Sequence, residues 1–230
     1  MKILITNDDG IKAEGIKLLV ELSKKYGEIL VVAPSQEQSA KSHCIEIKKG
    51  INVTKVEEFE GITCYSLDST PADCVRFATY GLKYDYDIVF SGINRGYNLG
   101  DDILYSGTVG AAMEAALCNK KALAFSTKYN DFSGAVKYFD MAMEYIINNK
   151  LLEKHNLYNI NIPPKVEGVR MTRQGDTHFN TKFELEKNEY YQRGEPHFEL
   201  ELDKKDSDIC AILENEISIT PLTKDRTKYF

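Results

Sequence analysis

With 230 residues, 43% of them hydrophobic, the chain is long enough to bury a large core without staples. Its formal net charge of -6 argues against a broad polyanion-binding surface, so duplex nucleic acid is not an expected partner. Five widely spaced cysteines with no C-x-x-C pair disfavour a zinc ribbon or a secreted disulfide framework. No window approaches the roughly 18 apolar residues that a membrane span needs. A cytoplasmic, unprocessed protein with no membrane contact is the expectation.

In chain order, the short apolar run Lys2–Thr6 is followed by an amphipathic segment over about 13–26 and a second apolar run at 29–33. Within the segment, Ile16, Leu19, Val20 and Ser23 recur at helical spacing beside Leu18 and Leu22, a face wide enough to pack on a sheet. The rhythm returns with a helix over about 71–82, a strand at 87–91, a helix at 108–117, a strand at 122–126, a helix at 134–149 and the strand Leu157–Ile162. Repeated βα units predict an α/β fold, a Rossmann-like, mostly parallel sheet with helices on both faces. The 45–65 stretch, with Ile45, Ile47, Ile51, Val53 and Val56 but no helical pattern, is expected to form a hairpin excursion. Beyond Pro163 and Pro164, an extended piece at 169–172, a polar and aromatic run at 174–202 and a last strand over about 211–220 predict a β-rich extension. The expected division is a catalytic core over 1–165 and an extension over 166–230.

Ligands of open parallel sheets gather beyond the carboxyl ends of the strands. Three loops lie there. Asn7-Asp8-Asp9-Gly10 follows the first strand; adjacent carboxylates repel unless a cation lies beside them, although the same residues also suit a turn that caps the next helix. The loop from Pro34 to His43 is rich in hydroxyl and amide oxygen, which suits a hard cation or phosphate and equally an ordinary solvated loop. Ser39 and His43 lack any nucleophile elbow, which speaks against covalent serine catalysis. The third loop runs from Ser91 through Asn94, Asn98, Asp101 and Asp102 to Ser106-Gly107-Thr108, with glycines at 92, 96, 100, 107 and 110. Such glycines suit a backbone that approaches a ligand closely, and hydroxyls with free N–H groups at a helix start suit a phosphate. A plain helix N-cap is the competing reading. Neither the dinucleotide fingerprint nor a Walker A loop occurs.

Taken together, ILITNDDG (3–10), VVAPSQEQS (31–39) with His43, TPADCV (70–75), SGINRGYNLGDDILYSGTVGAAMEAA (91–116) and VRMTRQG (169–175) resemble the SurE family of metal-dependent 5'- and 3'-nucleotidases. The resemblance implies that Asp8, Asp9, Ser39 and Asn94 hold one divalent metal ion per subunit. It also implies that Ser106, Gly107 and Thr108 contact the substrate phosphate, with Asn98 and His43 nearby. Hard oxygen donors of this kind suit Mg or Mn. The implied reaction is hydrolysis of nucleoside monophosphates by metal-activated water, with Asp8 or Asp9 as the catalytic base. An aspartyl-phosphate route, a non-catalytic nucleotide- or phosphate-binding protein and a broader-specificity acid phosphatase are the alternatives. The family resemblance further implies a homodimer or homotetramer that exchanges the C-terminal extension. Three glycine positions depart from the family pattern: Ala40 and Ser42 stand where glycines are usual, and Ser69 replaces the glycine before Thr-Pro-Ala-Asp. Where the family commonly carries Tyr-Tyr-Trp, this chain has Tyr190-Tyr191-Gln192.

Overall fold

The computed structural model describes residues 1–177 and 180–227. Its first unit is β1 (Lys2–Thr6), α1 (Glu14–Ser23) and β2 (Glu28–Pro34), with β1 and β2 parallel. Alternation along these strands sorts side chains between two layers. Ile3, Ile5, Val31 and Ala33 meet Ile16, Leu19 and Val20 of α1 on one face, while Leu4, Leu30 and Val32 enter a separate cluster on the other. Burial on both faces explains why the strands read as continuous apolar runs.

The next strands, β3 (Val53–Val56) and β4 (Thr63–Leu67), pair antiparallel, and β4 also runs parallel to β2. The 45–65 stretch is therefore a hairpin only from Val53 onward, and it forms the sheet's edge instead of leaving it. Ile45 and Ile47 are exposed outside any strand. Chain then passes through α2 (Pro71–Arg76), β5 (Ile88–Arg95), α3 (Gly107–Leu117), β6 (Lys121–Thr127), α4 (Ser133–Asn148), α5 (Leu151–Lys154) and β7 (Leu157–Ile162). Thr70 starts α2 by accepting the Asp73 N–H on its hydroxyl, and Pro71 supplies a preset first turn. Phe139, Ala142, Met143 and Ile146 of α4 join α1 on one face; Val109, Ala111, Ala112 and Ala115 of α3 join Cys74 and Val75 of α2 on the other.

After β7 come β8 (Gly168–Met171), β9 (Lys182–Glu186), β10 (Glu189–Arg193), α6 (Asp208–Leu213) and β11 (Glu216–Pro221). The main sheet has the order β3-β4-β2-β1-β5-β6-β7-β11-β8, parallel from β4 to β7, with β11 antiparallel to β7 and β8 parallel to β11. The segment after residue 166 thus extends the main sheet and also forms the separate β9–β10 hairpin. The expected last strand over 211–220 is corrected: Ala211 lies in α6, and the strand begins at Glu216. Ser207 caps α6 by accepting the Cys210 N–H, and Asn215, at φ 58°, reverses the chain between helix and strand. Among the described residues no helix is long and apolar enough to cross a membrane.

Candidate active site

β2 and β5 flank β1 on opposite sides, so the chain changes direction at β1 and leaves a crevice beyond its carboxyl end. A cavity of about 310 Å³ lies there. It is lined by Asp8 and Asp9 after β1, Glu37, Ser39 and Ala40 after β2, and Asn94, Arg95, Asn98, Asp102, Tyr105 and Ser106 from the β5 end and the turn before α3, together with Tyr129. Asp8, Asp9, Ser39 and Asn94, spread over three loops, therefore face one space, and so do Asn98 and Ser106.

Asp8 is 4% exposed. Burial lifts its carboxyl to about 6, with Asp9's charge adding to the rise, against hydrogen bonds from Thr108. Burial also raises Asp9, opposed by the backbone N–H and charge of Arg95. Among the described residues no three His, Cys, Asp or Glu side chains gather into a metal-binding group. Any cation here would take two carboxylates, the Asn94 amide oxygen and the Ser39 hydroxyl, a hard-oxygen set that fits Mg or Mn. Asn94 gives an amide hydrogen to the Gly96 carbonyl at 2.8 Å, which fixes the amide and leaves its oxygen as the acceptor. Ser39 donates its hydroxyl to Glu37 at 2.7 Å, so its oxygen lone pairs remain to accept or ligate.

The strand geometry delivers Asn94 to this space. Pairing of β5 with β6 shifts register between Ser91 and Asn94, across Gly92 and Ile93. Gly92 has φ 133°, and a Cβ there would lie 2.3 Å from the Phe125 carbonyl oxygen. The Ser39 loop is tied down by the Gln38 N–H to the Asp8 carbonyl at 2.7 Å and the Ser42 N–H to the Tyr105 carbonyl at 2.8 Å. Ala40 and Ser42, the two departures from glycine, both sit at left-handed φ, 56° and 55°. Ala40→Gly should then stabilise the protein by about 0.5–1 kcal/mol, since the left-handed penalty of roughly 1–2 kcal/mol outweighs the entropy of glycine. Urea unfolding checks this, and a loss of stability would show that Ala40 is not strained. At Ser69, the third departure, the hydroxyl donates to Asp73 at 2.5 Å and so fastens the start of α2.

Ser106 caps α3 by accepting the Val109 N–H at 3.1 Å while still lining the cavity. Gly107 and Thr108 sit behind Asp8, outside the cavity lining. The fully buried Thr108 gives its hydroxyl to Asp8 at 2.5 Å, and a Cβ on Gly107 would fall 2.8 Å from that of Asp8. These two residues set the carboxylate. His43 also lies outside this cavity: its Nε2 is 2.7 Å from Glu114, which accepts Arg76 at 2.9 Å.

The residues that anchor Asn98 belong to no motif in the sequence. Asn161 accepts the Asn98 N–H at 2.9 Å and donates to its carbonyl at 2.9 Å; Asn159 donates to the same carbonyl at 2.8 Å, and Ser126 accepts the Asn98 amide at 2.8 Å. The available signal was the amide at every second position of β7, which puts both on one face. Arg95, whose guanidinium lies 5.7 Å from the Tyr129 ring centre, also lines the cavity without a sequence signal that marks it. Asn161→Leu leaves a buried Asn98 N–H unpaired, so a stability loss of about 1–3 kcal/mol is expected, measurable by urea unfolding.

A family profile described as survival protein SurE matches residues 3–181. A protein of Natranaerobius thermophilus named 5'-nucleotidase SurE is 40% identical over 247 residues, covering 100% of this chain and 95% of that protein. A 5'-nucleotidase SurE of Clostridium botulinum is 39% identical over 244 residues, with 100% and 95% covered. The crystal structure of the SurE protein from Aquifex aeolicus superposes with a TM-score of 0.83 at 31% identity, covering 100% of this chain and 96% of that one.

Proposed function

This chain belongs to the survival protein SurE family, and from that membership we infer that it is a 5'-nucleotidase, a phosphomonoesterase that cleaves nucleoside 5'-monophosphates to nucleoside and phosphate. We further propose that the reaction depends on one divalent ion, Mg or Mn, held by Asp8, Asp9, Ser39 and Asn94, and that 3'-monophosphates are also taken. The observation that carries the metal reading is the buried carboxylate Asp8, lifted to about 6 by its surroundings and set beside a second carboxylate and two neutral oxygen donors. Such a pair is costly to keep ionised without positive charge.

In hydrolysis a water oxygen bonds to phosphorus as the ester oxygen departs, and the water loses a proton. Asp8 or Asp9 takes that proton, and the departing ester oxygen gains one from the carboxyl so formed or from solvent, leaving as the nucleoside hydroxyl. Ser106, the second N–H of the Asn98 amide and the Arg95 guanidinium donate to the phosphoryl oxygens, held in place by the α3 cap and the β7 asparagines. The bound ion supplies charge neutralisation at the phosphoryl group and makes water easier to deprotonate. A homodimer or homotetramer fits the β9–β10 hairpin, where Phe183, Leu185 and Tyr190 are exposed by 60% or more on a two-stranded ribbon. A cytoplasmic setting fits the five unpaired cysteines.

The test is phosphate release from nucleoside 5'- and 3'-monophosphates after EDTA treatment, with Mg, Mn, Ca or Zn added back. Activity should vanish on chelation and return with Mg or Mn. Activity on these esters that survives complete chelation would remove the metal from the account.

A further inference from the structure

A second cavity, also about 310 Å³, opens on the other side of Ser106, which lines both spaces. The two differ in chemistry. The first is walled by carboxylates, amides and a guanidinium. The second has an apolar wall of Ile103, Leu104, Val109, Met113 and Leu222 and a polar side that holds His43, Asp225 and Arg226. Its volume sits at the low end of pockets that enclose small molecules, about 300 Å³ upward. A nucleoside monophosphate has the same two-part character: a dianionic phosphoryl group on a flat, largely apolar base and its sugar.

We propose that this second cavity holds the nucleoside half of the substrate, so that α3 and the segment following β11 form the wall that selects the base. The proposal rests on the nucleotidase reading and deepens it. Ser106 is the shared boundary: a phosphoryl group in the first cavity carries its ester oxygen toward the second.

The polar side is built to hold still. A Cβ on Gly110 would lie 2.5 Å from the Ser42 carbonyl oxygen, so glycine there lets the His43 loop press against α3. His43 Nε2 meets Glu114, whose side chain is 4% exposed and which also receives Arg76. A buried carboxylate serving two partners is a poor source of stability and a good means of fixing a side chain's orientation. Nε2 is engaged with Glu114, which leaves Nδ1 as the ring nitrogen that can meet a polar group of the nucleoside. Opposite stands Leu222, continuing from β11 through a hydrogen bond of its N–H to the Leu157 carbonyl at 3.0 Å.

The experiment compares wild type with Leu222→Trp, which fills the cavity, and His43→Ala, which removes the imidazole from its polar side. For the 5'-monophosphates of adenosine, guanosine, cytidine and uridine, KM should rise about tenfold or more, as expected when a pocket contact is lost or blocked. The ratios among the four bases should change, and the inhibition constant of inorganic phosphate, which occupies only the first cavity, should stay within about twofold. Thermal unfolding verifies that each variant is folded; His43→Ala is the smaller change should the tryptophan not be accepted. Unchanged KM values in folded variants overturn the subsite, as does a parallel rise in the phosphate constant. A wild-type enzyme that releases no phosphate from any nucleotide overturns the nucleotidase reading itself, and is seen before any variant is compared.

Discussion

Asp8→Asn is expected to cut phosphate release sharply and, in the same protein, to raise the unfolding temperature of the chelated form. The carboxylate is almost wholly buried, and burial moves it from 3.8 to about 6. A folded-state value above the unfolded one means that the native state holds the proton more tightly, so the stability of the chelated protein falls as pH rises from about 4 through 6. The full cost at neutral pH is about 3 kcal/mol, taking 1.36 kcal/mol for each unit. Asparagine keeps an oxygen to accept the Thr108 hydroxyl and carries no charge. Part of the cost should return, about 1–3 kcal/mol, or roughly 3–10 °C for a chain of this size. The gain belongs to pH above 6 and disappears below about 4, where wild-type Asp8 is itself neutral. Activity should drop by about 10²–10³-fold, the scale seen when a group stabilising transition-state charge is removed. Calorimetric scans of chelated protein at pH 4 and pH 7.5, with assays on the metal-restored protein, check both halves. A variant less stable at both pH values would show that Asp8 is not held at a cost.

Gly107→Ala isolates the positioning of that carboxylate. The added Cβ would stand 2.8 Å from Asp8 Cβ and 2.9 Å from its Oδ2, closer than such atoms approach, so Asp8 or the α3 terminus must shift by several tenths of an ångström. Alanine is the better helix former, so the helix itself does not suffer. A displacement on this scale at a reacting centre can cost about 10²-fold. The expected result is a kcat/KM lower by about that factor with unchanged circular dichroism. Activity within threefold of wild type would mean that Asp8 has room to spare.

The parallel core was legible because its strands, buried on both faces, leave continuous apolar runs and its helices, buried on one, leave a helical period: Lys2–Thr6 and Leu157–Ile162 coincide with β1 and β7 at both ends. Reading failed where a local cap outweighed hydrophobic pattern. Ala211 and Ile212 look like the start of a strand, but Ser207 places them in a helix. In the site, the residue types at three strand ends could be read, and their convergence on one cavity could not, since Asp8, Ser39 and Asn94 are brought together only by the order of β2, β1 and β5. The side on which a residue of a helix's first turn faces is equally hidden. Thr108 has the right hydroxyl for a phosphate, yet the packing of α3 against β5 and β6 turns it onto Asp8. His43 has a substrate-binding chemistry that the motif suggested, and its pairing with Glu114, 71 positions away, puts it in the neighbouring cavity.

The measurement that bears most directly on the proposed centre is a titration of chelated protein with manganese, followed by electron paramagnetic resonance, on wild type and Asp9→Asn. One ion bound per wild-type chain, with binding lost in a variant whose unfolding temperature is not lowered, is the predicted result. Wild-type protein that binds no manganese, or an Asp9→Asn protein that binds it as tightly as wild type, would contradict a metal centre at the carboxyl end of β1.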